Sequence, residues 1–487
     1  MRRERHFIAA IGVLVCLFSN GFIVKSQQNN SLYFLDRVPQ SIQLNPAFQP
    51  SCNFYFGIPA LSAIEINAGN NALGVSDILI NDKEAGQLVT PLYSKKITNE
   101  TLDKLRTNNI IYSGFQIDLV SLGFRIGDNY LSFLISDKAN TNLSIPKELA
   151  VFAYNGIQVG DSYTFDNFSV NANYYREYSL GFSKSISDKL TFGVRGKLLF
   201  GKMNVSTRNN SITLNEPDWK RIDVSANARV NMSIPNMNIK LDSAGLVEDV
   251  DVDGFDKAKD AVDDLLLLKK NKGFGFDIGF NFQATEKVAI SASLIDIGYI
   301  NWKANTHNLE GSGDYSFKGI EIDPGDDSTD VGEALLDTLK QVYDVTSSTD
   351  PYTTMLTPKL YVGLTYTPNR FIKLGLLARS EYVLKTYRQQ LTGTVVFYPM
   401  QFLGATFSYT IADRVYDNLG IGLVFRTGPM QLYFTSERIP LFWNKAINGD
   451  IPKIPVYAKD VNFRMGFNLV FGANERRKLK KDQPFLE

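Results

Sequence analysis

The acidic stretch DVDVDGFDKAKD (249–260) is where the chain comes nearest to a binding motif. Asp249, Asp251, Asp253 and Gly254 fall on positions 1, 3, 5 and 6 of a twelve-residue calcium loop, and Asp260 falls on position 12, where Glu is usual. Oxygen ligands at alternate positions, with Gly at the tight turn, suit a hard cation, so calcium is the candidate cofactor. Asp256 occupies position 8, normally apolar, and no clear helix precedes the loop. A solvated acidic loop leading into a helix is the competing reading.

Nucleophilic and zinc chemistry have little to work with. The 487 residues include two His and two Cys. His6 and Cys16 lie in an N-terminal segment expected to be removed, which leaves Cys52 and His307. An intramolecular disulfide, a Cys/His zinc site and a Cys/His dyad each need more of these side chains than remain. A Ser/His/Asp triad would depend on His307 alone, so a non-enzymatic role is expected. Lys+Arg and Asp+Glu number 51 each, so no global field points to nucleic acid.

A third set of charges is defined by where it sits. Arg195, Lys197, Asp277, Lys373, Arg379, Glu381 and Arg464 all fall on the polar side of alternating runs. Facing a polar lumen, they could bind an anionic head group or form a salt-bridge mesh that holds a plug.

The elements that carry these charges are strands. In VNFRMGFNLVF (461–471) the odd positions from Val461 to Phe471 are apolar, while Asn462, Arg464, Gly466 and Asn468 oppose them. FSVNANYYREYSLGF (168–182), LTFGVRGKLLF (190–200) and GFGFDIGFNFQ (273–283) repeat this period of two. Each run is long enough for a tilted strand to cross hydrocarbon. The apolar face carries Phe, and the opposite face carries Gly, Asn and isolated charges. In a bilayer only a closed barrel satisfies strand backbone groups, so the expected fold is an all-β transmembrane antiparallel barrel in the outer membrane.

Short turns at GDN, SISDK, ATEKV, TPNRF, YPMQ and TGPM, with long excursions between them, give fourteen strands. Two further β-like stretches, 221–234 and 315–322, would extend the wall; counted as spanning strands they give sixteen. Helices are expected at 98–107, 256–270 and 331–345, in the outer loops.

Four segments organise the chain. Residues 1–26 have a basic start and an apolar run with a small residue before Gln27, which reads as a signal peptide; a membrane anchor is the alternative. Residues 27–52 hold Pro39, Pro46 and Pro50, too many for a spanning strand, and are expected to sit in the lumen as a plug. Residues 53–472 form the barrel, and 473–487, with ERRKLKKD (475–482), form a basic periplasmic tail.

The run Leu44, Asn45, Pro46, Ala47 is similar to the Asn-Pro-Ala element in the hatch of long-chain fatty-acid transporter barrels, which have fourteen strands. LIDIGYINW (294–302) and PYTTMLTPKLYVGLTY (351–366) resemble segments of a Bacteroidetes outer-membrane barrel family. That family is related in layout to those transporters and to barrels of the type IX secretion and gliding machinery. The resemblance implies a hatch containing Asn45, Pro46 and Ala47 and a lipid-like small-molecule ligand. It equally admits a scaffold role with outer-membrane or periplasmic protein partners.

Overall fold

The structure, a computed structural model, describes residues 30–472 apart from 83–86, 92–94, 157–159, 219–220, 242–246, 253–269, 318–344, 385, 413–414, 440–442, 445–453 and 456–458. The signal segment, the basic tail and all but the last residue of the helices expected at 256–270 and 331–345 lie outside the described residues.

The alternating runs become wall strands. In chain order they are β1 (Phe54–Gly57, continued by Ile64–Asn70), β2 (Asn108–Ile126), β3 (Asn129–Pro146), β4 (Ser169–Ser185), β5 (Leu190–Asp218), β6 (Asn271–Gln283) and β7 (Val288–Trp302). They continue with β8 (Tyr352–Met355, continued by Lys359–Tyr366), β9 (Ile372–Val383), β10 (Thr386–Phe397), β11 (Leu403–Ala412), β12 (Val415–Thr427), β13 (Met430–Ser436) and β14 (Asp460–Phe471). Each strand pairs antiparallel with the next. β14 returns to β1, with Phe54 opposite Phe471 and Ile64 opposite Met465, so the fourteen-stranded barrel closes without an edge.

The sixteen-strand count is not realised. Arg221–Ser233 pairs with the far half of β5 and with Thr306–Phe317, so these strands prolong the wall on the long-loop side. β5 runs for 29 residues, well beyond the roughly 9–11 that cross hydrocarbon. The helix expected at 98–107 is found as Lys95–Lys104.

Alternation sets which side chains meet lipid. Phe182, Phe192, Phe274, Phe276, Phe280, Phe282, Phe407, Phe425 and Met465 point outward and are exposed. On β14, Asn462, Arg464, Gly466, Asn468 and Val470 turn inward and are buried. No described helix is long and apolar enough to cross a membrane, a statement that leaves strands untouched. The outward apolar belt and the closed ladder together make this a membrane-spanning barrel.

One irregularity matters for the lumen. Between Phe276 and Ile278 the β6–β7 register slips, and Asp296 takes a left-handed backbone with φ 60°. The bulge turns both Ile295 and Asp296 inward, where each is buried.

Candidate functional site

The packed interior of the protein is the contact between its N-terminal segment and the wall. Asn30–Phe34 and Pro39–Gln43 form two short 3-10 turns inside the barrel. Pro39, with its fixed φ, opens the second. Leu32, Tyr33, Phe34, Leu35 and Val38 pack on inward Tyr361, Leu377, Val396, Tyr398, Val424 and Tyr433. Ile42 packs on Tyr55, Tyr130 and Val470.

Polar groups fix this plug around much of the circumference. Asn45 Nδ2 donates to Tyr33 Oη at 3.2 Å and to the carbonyls of Phe280 and Ala292 at 3.3 Å each. Its Oδ1 accepts the Ala47 N–H at 2.9 Å, closing an Asx turn. Pro46 and Asn45 approach the wall where it has no side chains: a Cβ on Gly193 would overlap the Pro46 carbonyl, and one on Gly279 would overlap Asn45 Oδ1. Gln40 and Asn468 exchange amide hydrogen bonds at 2.7 and 3.0 Å. Ser293 Oγ donates to the Leu44 carbonyl at 2.6 Å, and Gln431 Nε2 to the Arg37 carbonyl at 2.8 Å.

At the plug's start, Glu437 accepts the Ser31 N–H at 2.8 Å and the Ser31 hydroxyl at 3.1 Å. Burial pushes the Tyr33 phenol up to about 12, so it stays neutral and donates to Ser291 Oγ at 3.0 Å. Burial likewise pushes the Cys52 thiol up, which leaves it protonated and poorly nucleophilic.

Above the plug the inward charges pair with one another. Lys197 Nζ lies 2.6 Å from both Asp277 and Asp296, Lys359 lies 2.8 Å from Asp296, and Lys138 lies 2.7 Å from Glu177. Arg195 pairs with Asp277 at 3.1 Å and donates to the carbonyls of Ile42 and Gln43. Arg379 and Arg388 share Glu381 at 2.5 and 3.4 Å. Arg464 joins Glu65 at 3.1 Å to Gln43 Oε1 at 2.6 Å. Lys373, lower in the lumen, holds Asp36 of the plug at 2.7 Å.

Two internal spaces differ in chemistry. One of about 70 Å³ lies within the charge mesh, beside Glu65, Lys138, Glu177, Lys197 and Asp296, and has room for a few waters. A larger one, about 370 Å³, lies between plug and wall at the short-turn end. Tyr33, Phe34, Ala47, Phe48 and Ala289 form its apolar side; Gln49, Asn281, Gln283, Lys287 and Lys373 form its polar side.

Residues 46–437 match the family of unknown function DUF5723. The chain belongs to that family. No curated protein matches it. Among solved structures it is similar to the Ralstonia pickettii toluene transporter TbuX, with 8% identity, a TM-score of 0.41, and 89% of this chain and 94% of that chain covered. The Pseudomonas putida toluene transporter TodX gives 11% identity and a TM-score of 0.39 over 88% of this chain and 92% of that one. A Pseudomonas aeruginosa FadL homologue gives 10% identity and a TM-score of 0.39 over 93% and 99%. At that overlap the three say nothing about what this lumen holds, which its own side chains must decide.

The DUF5723 match begins inside the Asn-Pro-Ala run and ends at Glu437, so β14 lies beyond it. Of the seven charges expected to face the lumen, Arg195, Lys197, Asp277, Arg379, Glu381 and Arg464 are buried and Lys373 is half-buried, and each is ion-paired. Asp296 has its parity reversed by the bulge, which the sequence does not reveal, whereas Lys138, Lys359 and Arg388 keep the alternation of their strands, as does Glu177 on the polar face of 168–182. Asp249 and Asp251 sit on Val247–Val252, paired in register with Lys240 and Asn238, while Asp253 and Asp260 lie outside the described residues. Among the described residues no three His, Cys, Asp or Glu side chains come together to hold a metal. Cys52 is buried near the short turns, and His307 pairs opposite Met232 on the long-loop extension.

Proposed function

We propose that this is an outer-membrane barrel, exported by residues 1–26, that binds an amphipathic small molecule beside its plug. The observation that carries the reading is the space of about 370 Å³ at the short-turn end. The rings of Tyr33, Phe34 and Phe48 offer an apolar wall, and the ammonium group of Lys287 suits an acidic head group, the neighbouring Lys373 being paired with Asp36. The plug packs on the inner wall beside this space, so passage through the barrel requires the plug to shift.

The test is binding of decanoate to the purified barrel, followed by calorimetry. Phe48→Ala and Lys287→Ala should each weaken binding, and decanol should bind less well than decanoate. Unchanged binding in both variants would remove the reading. The resemblance to fatty-acid transporter barrels agrees with it.

A second reading, a non-transporting scaffold for a secretion or motility complex, is favoured by one feature. The paired extension of β5, Arg221–Ser233 and Thr306–Phe317 stands outside the membrane belt and offers a surface for protein partners. A protein recovered in stoichiometric amount from mild detergent, and lost when residues 208–233 are shortened, would support it.

A further inference from the structure

The outer wall of β3–β6 interrupts its own belt. A groove of about 380 Å³ opens on the lipid-facing side, walled by Phe133, Tyr178, Leu180, Leu198 and Phe274 and floored by Gly196. Gly196 has outward parity, and nothing lies within 4 Å of where its Cβ would be. Elsewhere on this face large side chains fill such positions, Leu180 being 62% exposed and Phe274 56%.

Along the same strands, toward the long loops, lies a charged cluster of the same outward parity. Arg176 grips Asp137 through Nε at 2.6 Å and Nη2 at 2.8 Å. Lys202, on the β5 bulge opposite Tyr174 and Tyr175, reaches Asp137 at 3.0 Å and Tyr174 Oη at 3.1 Å. Its ammonium also stands 4.6 Å from the Tyr174 ring centroid. Two cations therefore meet one carboxylate, and Arg176 Nη1 is not used on Asp137.

Charges on the lipid side of a barrel are costly at mid-membrane and tolerated near the interface. Asp137 is eight residues along a strand that starts at Asn129. With a rise of about 3.3 Å and a tilt near 40°, that is roughly 20 Å above the short turns, near the upper margin of an apolar band about 25 Å tall. The cluster thus lies at head-group level and the groove lies below it, in the tail region.

We propose that this face binds one anionic phospholipid-like molecule of the leaflet on the long-loop side, with an acyl chain in the Gly196 groove and its phosphate against Arg176, behind which the buried Lys202 adds a second positive charge. Lipid tails are as apolar as the groove walls, so the groove selects by shape alone. Discrimination comes from the net positive charge of the cluster, which favours a phosphate without a compensating ammonium. Arg176 is the break in the outward apolar run 168–182, so the sequence already carries this signal. The site is separate from the luminal space by the full thickness of the wall.

The experiment is native mass spectrometry of the full-length barrel in neutral detergent, titrated with short-chain phosphatidylglycerol or phosphatidylcholine. The expected result is one phosphatidylglycerol retained per barrel and about tenfold weaker retention of phosphatidylcholine. Gly196→Trp, whose Cβ would meet no neighbouring atom, should fill the groove and abolish that retention while decanoate binding in the lumen is unchanged. Lys202→Gln, which leaves the groove intact, should erase the preference between the two lipids. Equal retention of both lipids by the wild type, or retention unaffected by Gly196→Trp, would overturn the proposal.

Discussion

Asn45 lies so close to Gly279 that a Cβ on the glycine would occupy the place of the Asn45 side-chain oxygen. The same oxygen caps the Ala47 N–H, so the turn that shapes the plug and its seat on β6 share one atom. Gly279→Leu should therefore displace the plug and leave the outer face of the strand intact. Overpacking of this kind costs about 1–3 kcal/mol, enough to shift the plug toward an undocked state by roughly 5- to 150-fold. Planar-bilayer recording should show openings in the variant that the wild type lacks, and a silent, folded variant would show that the plug does not rest on this contact.

The plug's ionic contacts should differ in strength according to burial. Arg195 is 4% exposed in its side chain and Asp277 fully buried, and the guanidinium also serves two plug carbonyls. Arg195→Ala leaves the two plug carbonyls without this donor while Asp277 keeps Lys197, and should destabilise the protein by about 1–3 kcal/mol. Lys373 and Asp36 are 15% and 25% exposed, and Lys373→Ala should cost about 0–1 kcal/mol. Urea unfolding in detergent would compare them; equal losses would contradict the ranking.

Much of the wall was legible because lipid and lumen impose opposite preferences on alternate residues. GFGFDIGFNFQ announces its two faces without ambiguity, and the short turns fix the strand count. The N-terminal prolines, which no spanning strand tolerates inside its ladder, mark a segment that forms 3-10 turns at Asn30–Phe34 and Pro39–Gln43 and no strand there. Asp296 was not legible, because a single bulge reverses parity and leaves no mark in composition. Nor could the partners of the charges be read: Lys197 and Asp296 are 99 residues apart, and only closure of the barrel brings them together. The roles of Gly193 and Gly279 were hidden for a similar reason, since a small inward residue looks like lumen until the plug is seen against it.

The outward face of β14 gives a direct check on the membrane belt. Phe463 and Phe467 share the parity of exposed Val461, Met465 and Phe471. Phe467→Arg should destabilise the barrel by about 2–4 kcal/mol if it lies near mid-membrane, whereas Phe467→Leu should be close to neutral. Refolding into lipid vesicles at graded urea would measure both. Equal behaviour of the two variants would mean that this face does not meet hydrocarbon.

Alkaline pH offers a probe of the plug alone. Tyr33 is held neutral up to about 12 by burial, against an ordinary phenol near 10. Above pH 10 the unfolded chain gives up this proton while the folded one keeps it, so the folded state binds more protons and loses stability as pH rises from about 10 to 12. Below pH 10 both states are protonated and the group contributes no slope. Tyr33→Phe should remove this part of the alkaline slope, and at neutral pH should cost about 1–2 kcal/mol through the lost bonds to Ser291 and Asn45. Melting curves at pH 8 and pH 11 for both proteins isolate the effect from the other tyrosines, because only the difference between their slopes belongs to Tyr33. Parallel slopes would mean that the phenol ionises without leaving its place in the plug.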